Sequence, residues 1–272
     1  MIIYKYMKRA ITLCCMFVML FSAQRAMAWA AFGHGAIAYV AEQHLSPKAK
    51  SEVRRYLHHT LPYYASWMDH WRAVPPFHPT NMWHGIKSDE KGKLRWDIQG
   101  ERANGQAMIQ VKRIVEDMRD YKNLPDSVVR QNVIYLIHSV ADMHCPVHVQ
   151  FPKSTFPHYR YTVKRRGKPF NMHYFWDDAP GYQRKGWTYE MYAAEVDKIT
   201  SKQAKKIIKK GDYDYWGRDI LKNTHRIYNI TTADKEITKL TSEESAAVSA
   251  LADEMAMKAA YRLAYILNTI FE

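Results

Sequence analysis

The chain has 272 residues, 40 Lys and Arg against 27 Asp and Glu, a formal charge of +13 and 47% hydrophobic residues. That balance excludes a disordered or low-complexity protein and allows a sizeable core in one domain or two closely packed ones. Three cysteines, two of them adjacent near the start, exclude a disulfide-rich scaffold.

Residues 1–28 read as an export signal. Lys5, Lys8 and Arg9 form a positive start, Ala10–Phe21 is mostly apolar, and Ala26-Met27-Ala28 is a small-x-small cleavage site. The apolar stretch falls short of the roughly 20 residues a spanning helix needs. The residues before Cys14 are not the small ones usual before a lipid-bearing cysteine. Cleavage after Ala28 removes Lys5, Lys8, Arg9 and Arg25 and no acid, lowering the charge from +13 by four to +9. It also removes Cys14 and Cys15, so Cys145 stands alone and no intramolecular disulfide remains. The expectation is an exported protein, periplasmic or secreted, stabilised by core packing and bound metal. The basic surface favours polyanions: nucleic acid, anionic lipid or phosphorylated small molecules.

The mature chain, residues 29–272, would begin at Trp29 with a free α-amine, five residues before His34. Helical signals dominate from there. Gly33–Leu45 has an apolar face, and Ser46-Pro47 is an N-cap and first-turn proline for Lys48–Leu57. Asn104–Tyr121 and Asp126–Met143 carry apolar residues at helical spacing. Phe151–Lys168, with its Pro, Gly and aromatic residues, reads as a loop with a short hairpin around Tyr159–Val163. Weaker helices fall at Tyr189–Ile199, Gln203–Lys210 and Arg218–Tyr228. Thr241-Ser-Glu-Glu244 has capping-box spacing and opens a long helix to about Asn268. The fold class is mainly α: a single helical domain with long metal-bearing loops.

The chemistry concentrates in two segments. His138-Ser-Val-Ala-Asp142-Met-His144-Cys-Pro-Val-His148 sets His138 and Asp142 on one helical face, with Pro146 ending the helix so that His148 turns back. His173 and Asp177 repeat the four-residue spacing. Imidazole and carboxylate are the usual ligands of hydrolytic zinc. Hydrogen-bonded core histidines would explain one such pair; two pairs with His148 favour metal. Asp69, His84 and His34, the last between Gly33 and Gly35, are further candidates, and a terminal amine at Trp29 loses its proton to metal readily. Cys145 reads as a buried small side chain rather than a thiolate ligand.

These residues resemble the S1/P1 nuclease family, which shares its fold with zinc-dependent phospholipase C. Trp29 and His34, Ala65-Ser66-Trp67-Met68-Asp69, His84, His138/Asp142/His148 and His173/Asp177 match all nine ligand positions of that family. The match runs on to the Arg262-Leu-Ala…Leu267-Asn268 segment. The resemblance implies three zinc ions: one on Asp69, His84, His138 and Asp142; a close partner on Trp29, His34 and a bridging Asp142; a third on His148, His173 and Asp177. His144 matches a position that is not normally a ligand. Arg72 matches a basic residue that stabilises the phosphoryl transition state, and Asp69 also contacts the attacking water. The implied activity is that of a zinc-dependent endonuclease, cleaving single-stranded RNA and DNA to 5′-phosphorylated products, with 3′-nucleotidase activity a further question.

Departures concern specificity. Gly85 replaces an aromatic that stacks on a base, Lys87 falls at an acidic position, and Asp178 stands where some members place an asparagine. Trp83, Phe151, Phe156, Tyr159 and Tyr161 are other stacking candidates, each more in keeping with packing. Two alternatives stand beside the nuclease: a zinc-dependent phospholipase C and a non-catalytic zinc-stabilised binding protein. The expected partner is single-stranded nucleic acid or nucleotides, with no stable protein partner, no transmembrane segment in the mature chain, and a monomeric state.

Overall fold

Helices follow the apolar periodicity. In the computed structural model, which describes residues 29–100, 103–152 and 161–272, α1 covers Ala31–Gln43 and α2 Pro47–Leu57. The Ser46 side chain accepts from the Ala49 amide at 3.2 Å, Pro47 pre-sets the first turn, and His58 closes α2 in a left-handed conformation (φ 64°). Two short helices follow, α3 (Leu61–Tyr64) and α4 (Trp67–Trp71), then a 3-10 segment, Pro75–Trp83. None of these three was evident from periodicity, because each is too short to show one.

Helix α5 (Ala107–Asp117) is shorter than expected, and its predicted last turn is a 3-10 segment, Met118–Asn123, kinked at Asp120. Helix α6 covers Asp126–Met143 as predicted, with Val129, Val133, Leu136, Ile137 and Val140 buried. After it come α7 (Met172–Asp177), α8 (Tyr189–Val196), α9 (Ser201–Ile208), α10 (Tyr213–Ile230) and α11 (Ser242–Phe271). The capping box of α11 forms in full: Thr241 Oγ1 accepts from the Glu244 amide and Glu244 Oε2 accepts from the Thr241 amide at 2.9 Å. Such a cap is worth about 1 kcal/mol.

Helix α11 is the central strut. It packs on α1, α2, α6, α9 and α10, and its Leu251, Met255, Ala259, Leu263 and Leu267 are fully buried. Asn268 near its end accepts from the Ser46 amide at 2.8 Å and donates to the His44 carbonyl at 3.0 Å, clasping the loop after α1. One apolar core runs through all these contacts, so the chain is a mainly α-helical single domain.

Strands are few. Strands β1 (Ile86–Lys87) and β2 (Val149–Gln150) pair in parallel, Ile86 opposite Val149. The hairpin lies later than Tyr159–Val163. Strands β3 (Thr162–Arg165) and β4 (Lys168–Asn171) are antiparallel, with Thr162 opposite Asn171. The turn is Arg166-Gly167, both at positive φ (54° and 73°), as a two-residue turn between right-twisting strands requires. The Glu236 carboxylate accepts from both turn amides, at 3.0 and 2.7 Å, and so pins the hairpin tip. Residues 1–28, the expected signal, lie outside the described residues, as do Phe156 and Tyr159. No helix among the described residues is long and apolar enough to cross a membrane.

Candidate metal centre

Helix α6 supplies the middle of the site. The four-residue step from His138 to Asp142 is one helical turn, and His138 Nε2 lies 3.1 Å from Asp142 Oδ2. The other ring nitrogen of His138, Nδ1, is 2.8 Å from the Ala65 carbonyl, so Nδ1 carries the proton and Nε2 is left for the site. The residue holding it belongs to the Ala65–Asp69 element, and Asp69 Oδ2 stands 3.8 Å from His138 Nε2. His84 enters from the end of the 3-10 segment; its Nδ1 is 2.7 Å from Asp142 Oδ2 and 3.2 Å from His138 Nε2.

Helix α1 closes the site from the other side. His34 stacks on His138 with ring centroids 4.3 Å apart, and its Nε2 is 3.1 Å from Asp142 Oδ1. Trp29 is fully buried; its indole Nε1 donates to the Ala141 carbonyl at 2.9 Å, and the next amide, Ala30, donates to the Asp177 carbonyl at 2.9 Å. Those two bonds hold the Trp29 backbone beside the carboxylate-bearing ends of α6 and α7. Gly33 allows close packing here, since a Cβ on it would lie 3.3 Å from Trp29 Cβ and 3.1 Å from Pro180.

The third group gathers where α6 ends. Pro146 opens a short 3-10 turn that returns His148 towards Asp142 and Asp177, and β1–β2 pairing fixes His148 beside Gly85. His148 Nε2 lies 3.3 Å from His173 Nε2 and 3.4 Å from Asp177 Oδ1, while His173 Nε2 lies 3.2 Å from Asp177 Oδ2. The Asn171 side chain caps α7 by accepting from the His173 amide at 2.9 Å, which orients the first turn carrying His173.

Electrostatics at this centre are those of a crowded ligand set. Burial alone would lower His138, but the Asp142 and Asp69 carboxylates push it up to about 9. Burial also works against Asp142, yet His138 and His148 hold its carboxyl well below the usual range. Desolvation pushes Asp177 up to about 7, and burial lowers His84. Both oxygens of Asp69, Nε2 of His84 and Oδ2 of Asp177 are buried without a hydrogen-bond partner. Buried polar atoms left so are costly, and their concentration here fits a centre built for cations.

The spacing fits zinc as well. At metal–ligand distances near 2.0–2.1 Å, tetrahedral ligand atoms stand about 3.3 Å apart. The pairs above cluster around that value, including two meetings of imidazole nitrogens at 3.2 and 3.3 Å. Three groups of potential ligands emerge: His34, Asp69 and His138; His84, His138 and Asp142; Cys145, His148 and Asp177. The third includes Cys145 in place of His173. Burial raises the Cys145 thiol well above its ordinary pKa, and the thiol donates to Asp177 Oδ1 at 3.4 Å. His173, with Nε2 within 3.3 Å of both its neighbours, is the better ligand.

Both ring nitrogens of His144 are engaged outside the candidate ligand cluster. Its Nδ1 donates to the Val140 carbonyl at 2.7 Å and its Nε2 accepts from Arg262 Nη1 at 2.8 Å. Arg262 in turn donates to Asp219 Oδ2 at 2.6 Å. Burial, followed by the Arg262 charge, lowers His144 well below its usual value. Arg262, Asp219 and Lys258, which donates to Asp219 Oδ1 at 2.7 Å, form a buried network behind the site; only Arg262 carried a sequence signal. Among the stacking candidates, Phe151 is buried against His225, Trp83 packs edge-on to Tyr135, and Tyr161 is half-buried. Gly85 proves to be constrained as well as non-aromatic: a Cβ on it would stand 2.3 Å from the His148 carbonyl oxygen.

The helical fold and its clustered imidazoles and carboxylates define a zinc-dependent phosphodiester hydrolase. The S1/P1 nuclease family profile matches residues 29–272, and the chain belongs to that family, which acts on nucleic acids. No curated protein matches it.

Proposed function

We propose that this centre cleaves single-stranded RNA and DNA to 5′-phosphorylated products. The observation that carries the reading is the meeting of His34, His84 and His138 on the two oxygens of one buried carboxylate, Asp142, beside the His148–His173–Asp177 group. Asp69, His84, His138 and Asp142 would hold one zinc; Trp29, His34 and Asp142 a second; His148, His173 and Asp177 a third. Zinc in these places supplies Lewis acidity, which acidifies water and neutralises charge developing on phosphoryl oxygens.

The chain's own groups orient the reaction. Asp69, with both oxygens free of hydrogen bonds, accepts from the attacking water and aims its lone pair at phosphorus. Arg72 Nη1 lies 3.4 Å from Asp69 Oδ1 and the side chain is a quarter exposed, so the guanidinium reaches from the buried carboxylate to the rim where a phosphate arrives. The P–O3′ bond breaks as the water oxygen bonds to phosphorus, and the 3′-oxygen leaves with a proton. The phosphate stays on the 5′ side of the downstream fragment. A flexible single strand can bend its phosphates into so enclosed a ligand cluster, where a stiff duplex cannot.

Export with cleavage after Ala28 belongs to the same reading. The family match starts at Trp29, the residue that cleavage after Ala28 would make the first. In this reading the mature protein is a periplasmic or secreted monomer. The test is incubation of the zinc-loaded protein with single-stranded oligonucleotides and mass analysis of the product ends and of the protein's own N-terminus. Folded, metal-replete protein that leaves the oligonucleotides intact would overturn the assignment.

A further inference from the structure

Among the described residues, a concentrated positive charge lies on α9 and the turn after it. Lys202, Lys205, Lys206, Lys209 and Lys210 line one cavity of about 690 Å3, and all five are exposed. The only acid in that lining is Asp212, whose carboxylate is committed to capping α10, accepting from the Tyr215 amide at 2.8 Å. Among the described residues, none of the five lysines has a carboxylate within ion-pair distance. Lysines on solvated helix faces are ordinary, but five within nine positions and no neutralising partner are not.

The backbone holds them together at a cost. Lys209 and Lys210 both adopt left-handed conformations (φ 48° and 54°), followed by Gly211 at 75°. Two successive lysines in that region are strained, where Gly or Asn would relieve the strain. The turn curls Lys209 and Lys210 back beside the Lys202–Lys206 face. It is braced from below: Trp216 Nε1 donates to the Ile208 carbonyl at 2.7 Å, Arg262 Nε to the Ile207 carbonyl at 3.3 Å, and a Cβ at Gly211 would strike Tyr265 at 2.7 Å. The platform is therefore fixed to α10 and α11 rather than loosely displayed.

Resting on the nuclease reading above, we infer that this lysine platform is a second contact for the backbone of a long single-stranded polynucleotide, outside the metal centre. Helix α9 packs on α11, and α11 packs on the metal-bearing α6. Two helix spacings of about 8–10 Å put the platform roughly 20 Å from the site. A dinucleotide cannot reach both; a chain of tens of nucleotides can. The contact is electrostatic and indifferent to base, so it confers preference for length rather than sequence.

The variant K202Q/K205Q/K206Q/K209N/K210N removes the charge, with asparagine placed where the left-handed turn tolerates it. Holoenzyme and variant are compared on a 30-nucleotide phosphorothioate strand by fluorescence anisotropy across salt, and on a dinucleotide by turnover. Five phosphate contacts contribute about −3.5 to the slope of log affinity against log salt. The wild type should lose roughly 100-fold more affinity than the variant between about 50 and 200 mM salt. The variant's KM for a 30-mer should rise at least roughly tenfold at low salt, with dinucleotide turnover unchanged. Equal salt slopes and equal affinities for the 30-mer in the two proteins would overturn the inference. So would loss of binding to phosphatidylglycerol vesicles with 30-mer binding intact, which would make the platform a membrane contact. Dinucleotide turnover reports on the nuclease reading separately: its absence in both proteins would count against that reading, while the anisotropy still decides the platform.

Discussion

Replacing Gly85 by alanine adds one methyl group to the wall between two ligand groups. The new Cβ would stand 2.3 Å from the His148 carbonyl oxygen, against the 3.0 Å below which such contacts are essentially never found. One backbone or the other must therefore move by at least 0.7 Å, the difference between those two distances. Neither side yields easily. Gly85 accepts from the Ala107 amide at 2.9 Å, and the next residue pairs Ile86 with Val149 in β1–β2. The residues that absorb the shift are His84 and His148 themselves. Overpacking of this kind costs about 1–3 kcal/mol, which in a chain of this size lowers Tm by roughly 2–12 °C. A displacement approaching 1 Å in a catalytic constellation costs about 100-fold in rate. Gly85→Ala should therefore bind less zinc per chain by elemental analysis and lose about 100-fold in kcat/KM on single-stranded RNA. Gly92→Ala is the control: its Cβ meets nothing within 4 Å and only the positive φ of 70° is penalised. Gly85→Ala with full zinc content, unchanged Tm and unchanged activity would refute the packing argument.

Three further outcomes are expected. Arg72→Gln should lower kcat about 100- to 1,000-fold while leaving zinc content unaltered, and an unchanged kcat would remove Arg72 from the reaction. In metal-free protein His138 is raised to about 9 by Asp142 and Asp69 against the effect of burial, and Asp177 is raised to about 7 by burial. Both shifts are upward. The folded apo-protein thus holds protons that the unfolded chain releases, and its stability falls as pH rises through about 4 to 7 for Asp177 and 6.5 to 9 for His138. Since both must be deprotonated to bind metal, zinc uptake near pH 7 should release roughly one and a half protons, measurable by calorimetry in buffers of different ionisation enthalpy; zero release would contradict it. Glu236 is lowered to about 2, chiefly by the Thr238 hydroxyl and then the Gly167 amide. Its hold on the hairpin tip is complete above about pH 4.5 and lost as pH falls towards 2, visible as faster amide exchange at Arg166 and Gly167; a Glu236 titrating near 4.5 by NMR would disprove it.

The candidate site was legible in the sequence where candidate ligands share a helical turn. His138 with Asp142 and His173 with Asp177 declare themselves at four-residue spacing, and the structure brings each pair within 3.2 Å. Asp69, His84 and His34 carry no such local sign, since their partners lie dozens of residues away; on their own they were only candidates, and the family resemblance is what matched them to ligand positions. The long helices were readable because burial imposes period on Asp126–Met143 and because Thr241 and Glu244 announce a start. Short helices such as Trp67–Trp71 were not, since five residues hold barely more than one turn. The hairpin was displaced because its turn, Arg166-Gly167, lacks the Asn-Gly or Asp-Gly signature. The Arg262–Asp219–Lys258 network depends on packing between α10 and α11, and nothing in either segment alone forecasts it.

Asn268, four residues from the end, ties itself to His44 and Ser46 across 224 and 222 positions of sequence. The first helix thus finds its main support only when the last has been made. A ribosome that delivers the chain from front to back releases the whole of α1, with His34 on it, long before α11 exists. Until that final helix arrives, His34 can meet His138 and Asp142 on α6, but α1 lacks its principal packing partner, and zinc offered earlier would meet a loosely held cage. Shortening the tail by a handful of residues should therefore harm metal capture at the opposite end of the polypeptide.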